Sequence, residues 1–322
     1  MSVPIPWLAA VSLAASFVLA AGWRVFALRR GHVDQPDARR LHVQPTPRGG
    51  GIGIALVLLA VAPWLGEGWP AYALGLVLCA GGGLLDDLRP LAPLAKLVLQ
   101  AAGALCLAWG WPLLPGLWGE SMGIVLGAAM ALVLVNLWNF MDGSNGLAAS
   151  QALLAAPVLA LLGPAPAAGV LAAALAAASL GFLPLNFPRA RLFLGDVGSH
   201  ALGYGLAAVA LLAAPAAGGA AWLLLLPPSA MLLDAGLTLL SRARRRQVLW
   251  QAHREHLYQR AVAAGLGHAG VCGLYLAWAI AASALALAVA ARPSPWPGLA
   301  SALVYVIGII VHLLLSRRWP RS

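Results

Sequence analysis

The chain has 322 residues, of which 61% are hydrophobic and only 9% charged, far below the roughly 25% charged residues of soluble domains. This composition excludes a soluble globular protein and predicts a polytopic, all-α integral membrane protein with one domain over residues 1–322. The formal charge of +10 would suit nucleic acid, but the positions of the basic residues assign it to one membrane face instead and exclude a nucleic-acid partner.

Apolar runs of about 17 to 25 residues, bounded by charges or Gly/Pro breaks, mark expected spans. Eleven are predicted, near 4–28, 49–65, 70–86, 94–111, 121–140, 146–163, 167–186, 198–214, 219–240, 268–291 and 297–316, with cytoplasmic loops near 29–48, 86–96, 139–147, 187–198 and 241–267. The first run lacks a basic segment before it and is followed by arginines, so it reads as a retained helix rather than a signal peptide. Cys79, Cys106 and Cys272 lie inside apolar runs without metal-ligand spacing and read as packing residues.

If the runs alternate across the bilayer, nineteen of the twenty basic residues fall on one face, from Arg24, Arg29, Arg30, Arg39 and Arg40 to Arg317, Arg318 and Arg321, and only Arg292 lies opposite. The positive-inside rule makes that face cytoplasmic, with the N-terminus outside and the C-terminus inside. Most of the acidic residues share that face, and carboxylates near lipid are costly unless paired, wet or metal-bound.

Five stretches concentrate the polar residues. "VDQPDARRLHVQPTPRGGGIGI" places Arg48 before a glycine run, where backbone can approach phosphate closely, although a basic loop on anionic lipid has the same composition. "GGGLLDDLRPLAPLAKLVLQ" ends a helix in Asp86 and Asp87 and leads to Lys96, the single lysine; it reads as a solvated turn or as an anionic pair with a phosphate-binding ammonium. In "NLWNFMDGSNGLA", Asn136 and Asn139 share a helix face that Asp142 continues, and an Asn-Gly turn accounts for Asn145 and Gly146. That turn leaves two amides in an apolar helix end needing partners, for which magnesium is a candidate.

"LNFPRARLFLGDVGSHALGYG" sets Asp196 before a Gly-Ser turn, where Asp196 or Ser199 could cap the following helix, or Asp196 could hold a metal that bridges phosphates at the helix N-terminus. "QAHREHLYQRA" follows the run "RARRR" and carries His253, Arg254, His256 and Arg260; a basic interfacial helix and a pyrophosphate-facing set are both consistent with it, and the absence of cysteine with only one acid disfavours zinc. Independent turns have no reason to collect these groups on one face. Together they point to magnesium-dependent phosphoryl chemistry on a substrate half in lipid and half in water.

The ordered set "DDLRPLAPLAK", "NLWNFMDGSNGLA", "NFPRARLFLGDVGS" and "HREH" resembles the polyprenyl-phosphate N-acetylhexosamine-1-phosphate transferases, from "RRLHVQPTPRGGG" to "HREHLYQR". The resemblance implies attack of undecaprenyl phosphate on the sugar-linked phosphorus of a UDP-N-acetylhexosamine, giving undecaprenyl-diphosphate-sugar and UMP, with Mg2+ as cofactor and Mn2+ as a substitute. It implies that Asp86 and Asp87 position or deprotonate the lipid phosphate and that Lys96 contacts phosphate. Asp196 and Asn139 would hold the metal; Asp142, Asn145, Asn186 and Phe193 would border the nucleotide; His253 and His256 would end the histidine motif, with Arg254 between them. Arg48 is a further candidate for substrate. Unlike the translocase branch, with its consecutive histidines, this chain has "HREH", which resembles the branch that initiates O-antigen with 6-deoxy or otherwise modified N-acetylhexosamines. The bilayer and the two substrates are the expected partners, and the composition allows a homodimer. A secondary transporter is the alternative, although transporter sites cluster near the bilayer midplane at repeat interfaces; a scaffold would not need the Asp/Asn/His set.

Overall fold

A computed structural model describes residues 4–35, 45–248 and 253–319. Its helices, in chain order, are α1 (Ile5–Arg30), α2 (Ile52–Ala60), α3 (Trp69–Leu88), α4 (Pro93–Gly110), α5 (Pro115–Trp118), α6 (Glu120–Phe140), α7 (Leu147–Leu162), α8 (Pro166–Asn186), α9 (Gly195–Ala217), α10 (Ser229–Arg244), α11 (Leu257–Ala261), α12 (Gly267–Val289) and α13 (Trp296–Arg318). Proline opens α1, α3, α4, α8 and α13, where its missing N–H costs no intrahelical bond. Gly31, at φ 70°, closes α1 after Arg29 and Arg30, a left-handed cap following cations that favour the helix C-terminus.

Eight helical stretches among the described residues are long and apolar enough to cross a membrane. Three expected spans depart from that pattern. The run 49–65 is a nine-residue α2 followed by a 3₁₀ turn, and 146–163 is the sixteen-residue α7. The run 219–240 splits into a 3₁₀ stretch, Gly218–Leu225, and α10. Gly218, Gly219, Pro227 and Pro228 explain that break, since neither residue type supports a continuous helix. Outside the helices, Val33–Asp34 (β1) and Thr46–Pro47 (β2) form a two-residue antiparallel ribbon that the all-α expectation did not include.

Most of α9 is buried, and α3, α6, α7, α8 and α2 pack around it. Small residues make this possible, as in membrane helix pairs generally. A Cβ at Gly51 would sit 2.0 Å from the Gly198 Cα, so the start of α2 touches α9 backbone to backbone. Polar side chains also tie helix to helix: the Tyr204 hydroxyl of α9 donates to the Tyr72 carbonyl of α3 at 2.8 Å, and Ser16 of α1 donates to the Ala178 carbonyl of α8 at 2.8 Å. The outer surface is apolar, with Trp109 72% and Leu94 71% exposed, as lipid contact requires.

Candidate active site

The polar groups meet at one end of the bundle because α3, α6 and α8 end there and α4, α7 and α9 begin there. Asp87, in the last turn of α3, accepts the N–H groups of Asp196 (3.1 Å, Oδ1) and Val197 (3.1 Å, Oδ2). Those donors are free because they belong to the first turn of α9. The cap of α9 is therefore Asp87, from a helix more than a hundred residues away. Neither Asp196 nor Ser199 serves as the cap, as local sequence had allowed; Ser199 Oγ instead donates to the Asp196 carbonyl at 3.3 Å. The reason is spatial: Gly83 and Gly195 let α3 approach so closely that a Cβ at either would fall 2.5 Å from its neighbour.

Lys96 joins two carboxylates, donating to Asp86 Oδ2 at 3.0 Å and Asp196 Oδ2 at 2.7 Å. It lies in the first turn of α4, not in the preceding loop. The second oxygen of Asp86 accepts the Leu91 N–H at 2.7 Å. Asn139 donates from Nδ2 to Asp196 Oδ1 and to Ser199 Oγ, both at 3.0 Å, so it turns its NH2 group, rather than its carbonyl, toward Asp196. Arg48 donates to the Asp87 and Asp86 carbonyls at 2.9 and 3.2 Å, the arrangement expected of a cation at a helix C-terminus. The Arg48 carbonyl is held in turn by Trp23 Nε1 at 2.8 Å.

Arg48, Asp87 and Asp196 border a cavity of about 230 Å³ whose wall also includes Asp142, Asn145, Asn186 and Phe193; Asp86, Lys96 and Asn139 do not line it, and Lys96 and Asn139 reach it through their bonds to Asp196. Asp142 is the carboxylate there without a protein partner among the described residues. Burial, reinforced by the nearby Asp196 and Asp87 carboxylates, holds its pKa well above the usual carboxylate range. Asn186 spends its amide on the framework: Oδ1 accepts the Gly146 N–H at 2.6 Å and Nδ2 donates to the Leu192 carbonyl at 3.0 Å. Asn145 Nδ2 donates to the Pro188 carbonyl at 3.1 Å.

The histidine motif stands apart from this wall. His256 is 2% exposed, with its ring 6.3 Å from Phe140 and 5.8 Å from Tyr258, stacked on both. Glu255 pairs with Arg242 at 2.5 Å and also with Arg245. Burial, then His256 and Arg242, pushes the His253 ring down to about 4; burial also lowers His256. Both rings therefore release a proton more readily than an exposed histidine. Arg254 lies between them, half-buried. Residues 36–44, which carry Asp37, Arg39 and Arg40, lie outside the described residues.

Sequence reasoning missed four polar side chains of the wall, those of Asp34, Ser144, Gln259 and His268. His268 carried a signal as the polar residue heading the apolar run 268–291; Gln259 carried none. It also missed Asp234, which accepts the N–H groups of Leu257 (2.7 Å) and Tyr258 (3.1 Å) and the Tyr275 hydroxyl (2.6 Å), so that it anchors the start of α11.

Hard oxygen donors suit magnesium. Among the described residues no three of His, Cys, Asp and Glu are grouped as a metal cage, but this ion is commonly held by one or two carboxylates with waters and substrate phosphates. The unpartnered Asp142 carboxylate beside Asp196 fits that requirement.

Residues 69–214 match the family model described as glycosyl transferase family 4. A decaprenyl-phosphate N-acetylglucosaminephosphotransferase from Mycolicibacterium smegmatis is 33% identical, covering 99% of this chain and 91% of its own. Its counterpart from Mycobacterium tuberculosis is 31% identical over 98% and 91%. A phospho-N-acetylmuramoyl-pentapeptide-transferase from a Synechococcus strain is 39% identical over 57% of this chain and 61% of its own.

Proposed function

The chain belongs to glycosyl transferase family 4, the polyprenyl-phosphate sugar-phosphate transferases, and from that membership we propose that it transfers an N-acetylhexosamine 1-phosphate from a UDP-sugar to undecaprenyl phosphate at the cytoplasmic face of the bacterial inner membrane. In this reaction an oxygen of the lipid phosphate bonds to the sugar-linked phosphorus, the bond from that phosphorus to the oxygen bridging it to the second phosphorus breaks, and UMP leaves with the bridging oxygen. The relatives that span the whole chain are named for N-acetylglucosamine, which makes UDP-N-acetylglucosamine the first donor to test. A 6-deoxy-N-acetylhexosamine, and with it initiation of O-antigen, rests on the "HREH" likeness.

The observation that carries the proposal is the meeting of Asp86, Asp87, Lys96, Asn139, Asp142 and Asp196 at helix ends beside one cavity. Phosphoryl transfer asks a protein chiefly for position and charge compensation. Lys96 and Arg48 supply positive charge. Asp87 fixes the start of α9 and hence Asp196, while Asp142 has a carboxylate left to meet an incoming group. Asp196 and Asp142 are the residues that would hold Mg2+, or Mn2+ in its place, while Asn139, whose NH2 group is donated to Asp196, would orient that carboxylate. Bound there, the ion would offset the negative charge of donor and leaving group. A transporter has less support: these carboxylates lie at helix ends, and a transport site lies near the midplane.

The test is transfer from radiolabelled UDP-sugars to undecaprenyl phosphate by purified protein in detergent, with and without magnesium. The expected result is a magnesium-dependent lipid-linked product that Asp196→Asn abolishes while the variant keeps its melting temperature. Folded protein that yields no product from any donor refutes the assignment.

A further inference from the structure

Resting on the reading of the cavity as a sugar-nucleotide site, we infer that His268 binds the donor, giving a hydrogen bond from its Nε2–H to an acceptor oxygen of the uridine part. The cavity wall carries two kinds of group: ionic ones, Arg48, Asp87, Asp142 and Asp196, and neutral ones, among them Asn145, Asn186, Phe193 and His268. Neutral polar groups and an aromatic ring suit a nucleoside, whereas the ionic groups suit phosphates and their cation.

Among the neutral groups, two amides are already engaged. Asn186 is bonded through both its amide atoms, and Asn145 Nδ2 is given to Pro188. His268 differs. Its Nδ1 receives the Asn145 backbone N–H at 3.4 Å and lies 3.0 Å from Ser144 Oγ. A backbone N–H can only donate, so Nδ1 is the unprotonated nitrogen and the ring's proton sits on Nε2. No described residue accepts from Nε2, and the ring forms part of the cavity wall. The turn that contains Asp142 thus sets the tautomer of a donor on the neighbouring helix. Gly265 at φ 94° and Gly267 at φ 71° bring the chain around to place it at the head of α12.

Two conservative variants separate this role from a framework role. In His268→Gln the amide NH2 reaches toward the Nε2 position; in His268→Asn the amide oxygen takes the place of Nδ1 and still accepts from Asn145, but the Nε2 donor is gone. The experiment is calorimetric titration of UDP and UMP into the full-length protein in detergent, with magnesium present and absent. The expected result is binding by the natural protein, about tenfold weaker binding by His268→Asn, the loss of roughly one hydrogen bond, and binding by His268→Gln within about threefold of natural. The reverse order, equal weakening of both variants, or no change in His268→Asn overturns the inference while leaving the transferase reading intact. Failure of the natural protein to bind either nucleotide overturns both.

Discussion

Gly195→Ala is the perturbation that the geometry resolves best. Gly195 opens α9 at φ 76°, and a Cβ there would lie 2.5 Å from Asp87 Oδ2, 2.7 Å from the Gly49 nitrogen and 2.8 Å from the Gly49 Cα. An L-residue in the left-handed region costs about 1–2 kcal/mol, and overpacking a tight contact about 1–3 kcal/mol. The Gly49 side cannot yield cheaply, because the adjoining Gly50 and Gly51 N–H groups are bonded to Phe193 and Leu194 at 2.9 and 2.8 Å. Asp87 must move, and with it the cap on Asp196 and Val197. The expected outcome is a loss of about 2–5 kcal/mol of stability and at least a tenfold fall in transfer rate, since misplacement by about 1 Å can cost on the order of a hundredfold. Gly31→Ala is the control: Gly31 has φ 70° but no atom within 4 Å of the added Cβ, so only the backbone cost of about 1 kcal/mol applies and turnover stays unchanged. Thermal unfolding in detergent and radiolabelled transfer measure both quantities. A Gly195→Ala protein that melts and turns over like the natural one refutes the reasoning.

Asp87→Ala removes both acceptors at the start of α9 and is expected to cost about 1–2 kcal/mol, with Asp87→Asn intermediate because one acceptor remains; denaturant titration should show that order, and three equal midpoints would contradict the capping role. Tyr275→Phe deletes the 2.6 Å bond to Asp234 Oδ2, a bond to a charged group worth about 1.5–3 kcal/mol, and unchanged stability would show that Asp234 is satisfied without it. His253 is held at about 4 in the folded protein, below the unfolded value of about 6.5. Its unfolded form therefore binds the extra proton, and this contribution to stability is present above pH 6.5 and lost as pH falls toward 4. His253→Gln should flatten that part of the pH dependence, and parallel stability curves for the two proteins between pH 7 and 5 would count against the buried, neutral ring.

The α-helical class and most helix limits were legible in the residues, because apolar runs of membrane length and proline at helix starts are local signals. The expected run 121–140 became Glu120–Phe140, and 167–186 became Pro166–Asn186. Membership of the polar cluster was legible as well: Asp86, Asp87, Lys96, Asn139, Asp142 and Asp196 stood out because carboxylates and amides are expensive at the ends of apolar helices. Their partners were not. Which carboxylate caps α9, which oxygen receives Lys96, and whether Asn139 presents its amine or its carbonyl depend on approaches between helices far apart in sequence. Such approaches are set by glycines such as Gly51, Gly83 and Gly195, whose packing role has no local signature. Burial likewise decided that His253 and His256 hold a proton less tightly and Asp142 more tightly, since desolvation is a property of the surrounding volume and not of the residue. The sequence by itself determined what kinds of groups meet at this membrane face; only the tertiary packing decided which atoms remain free to meet a substrate.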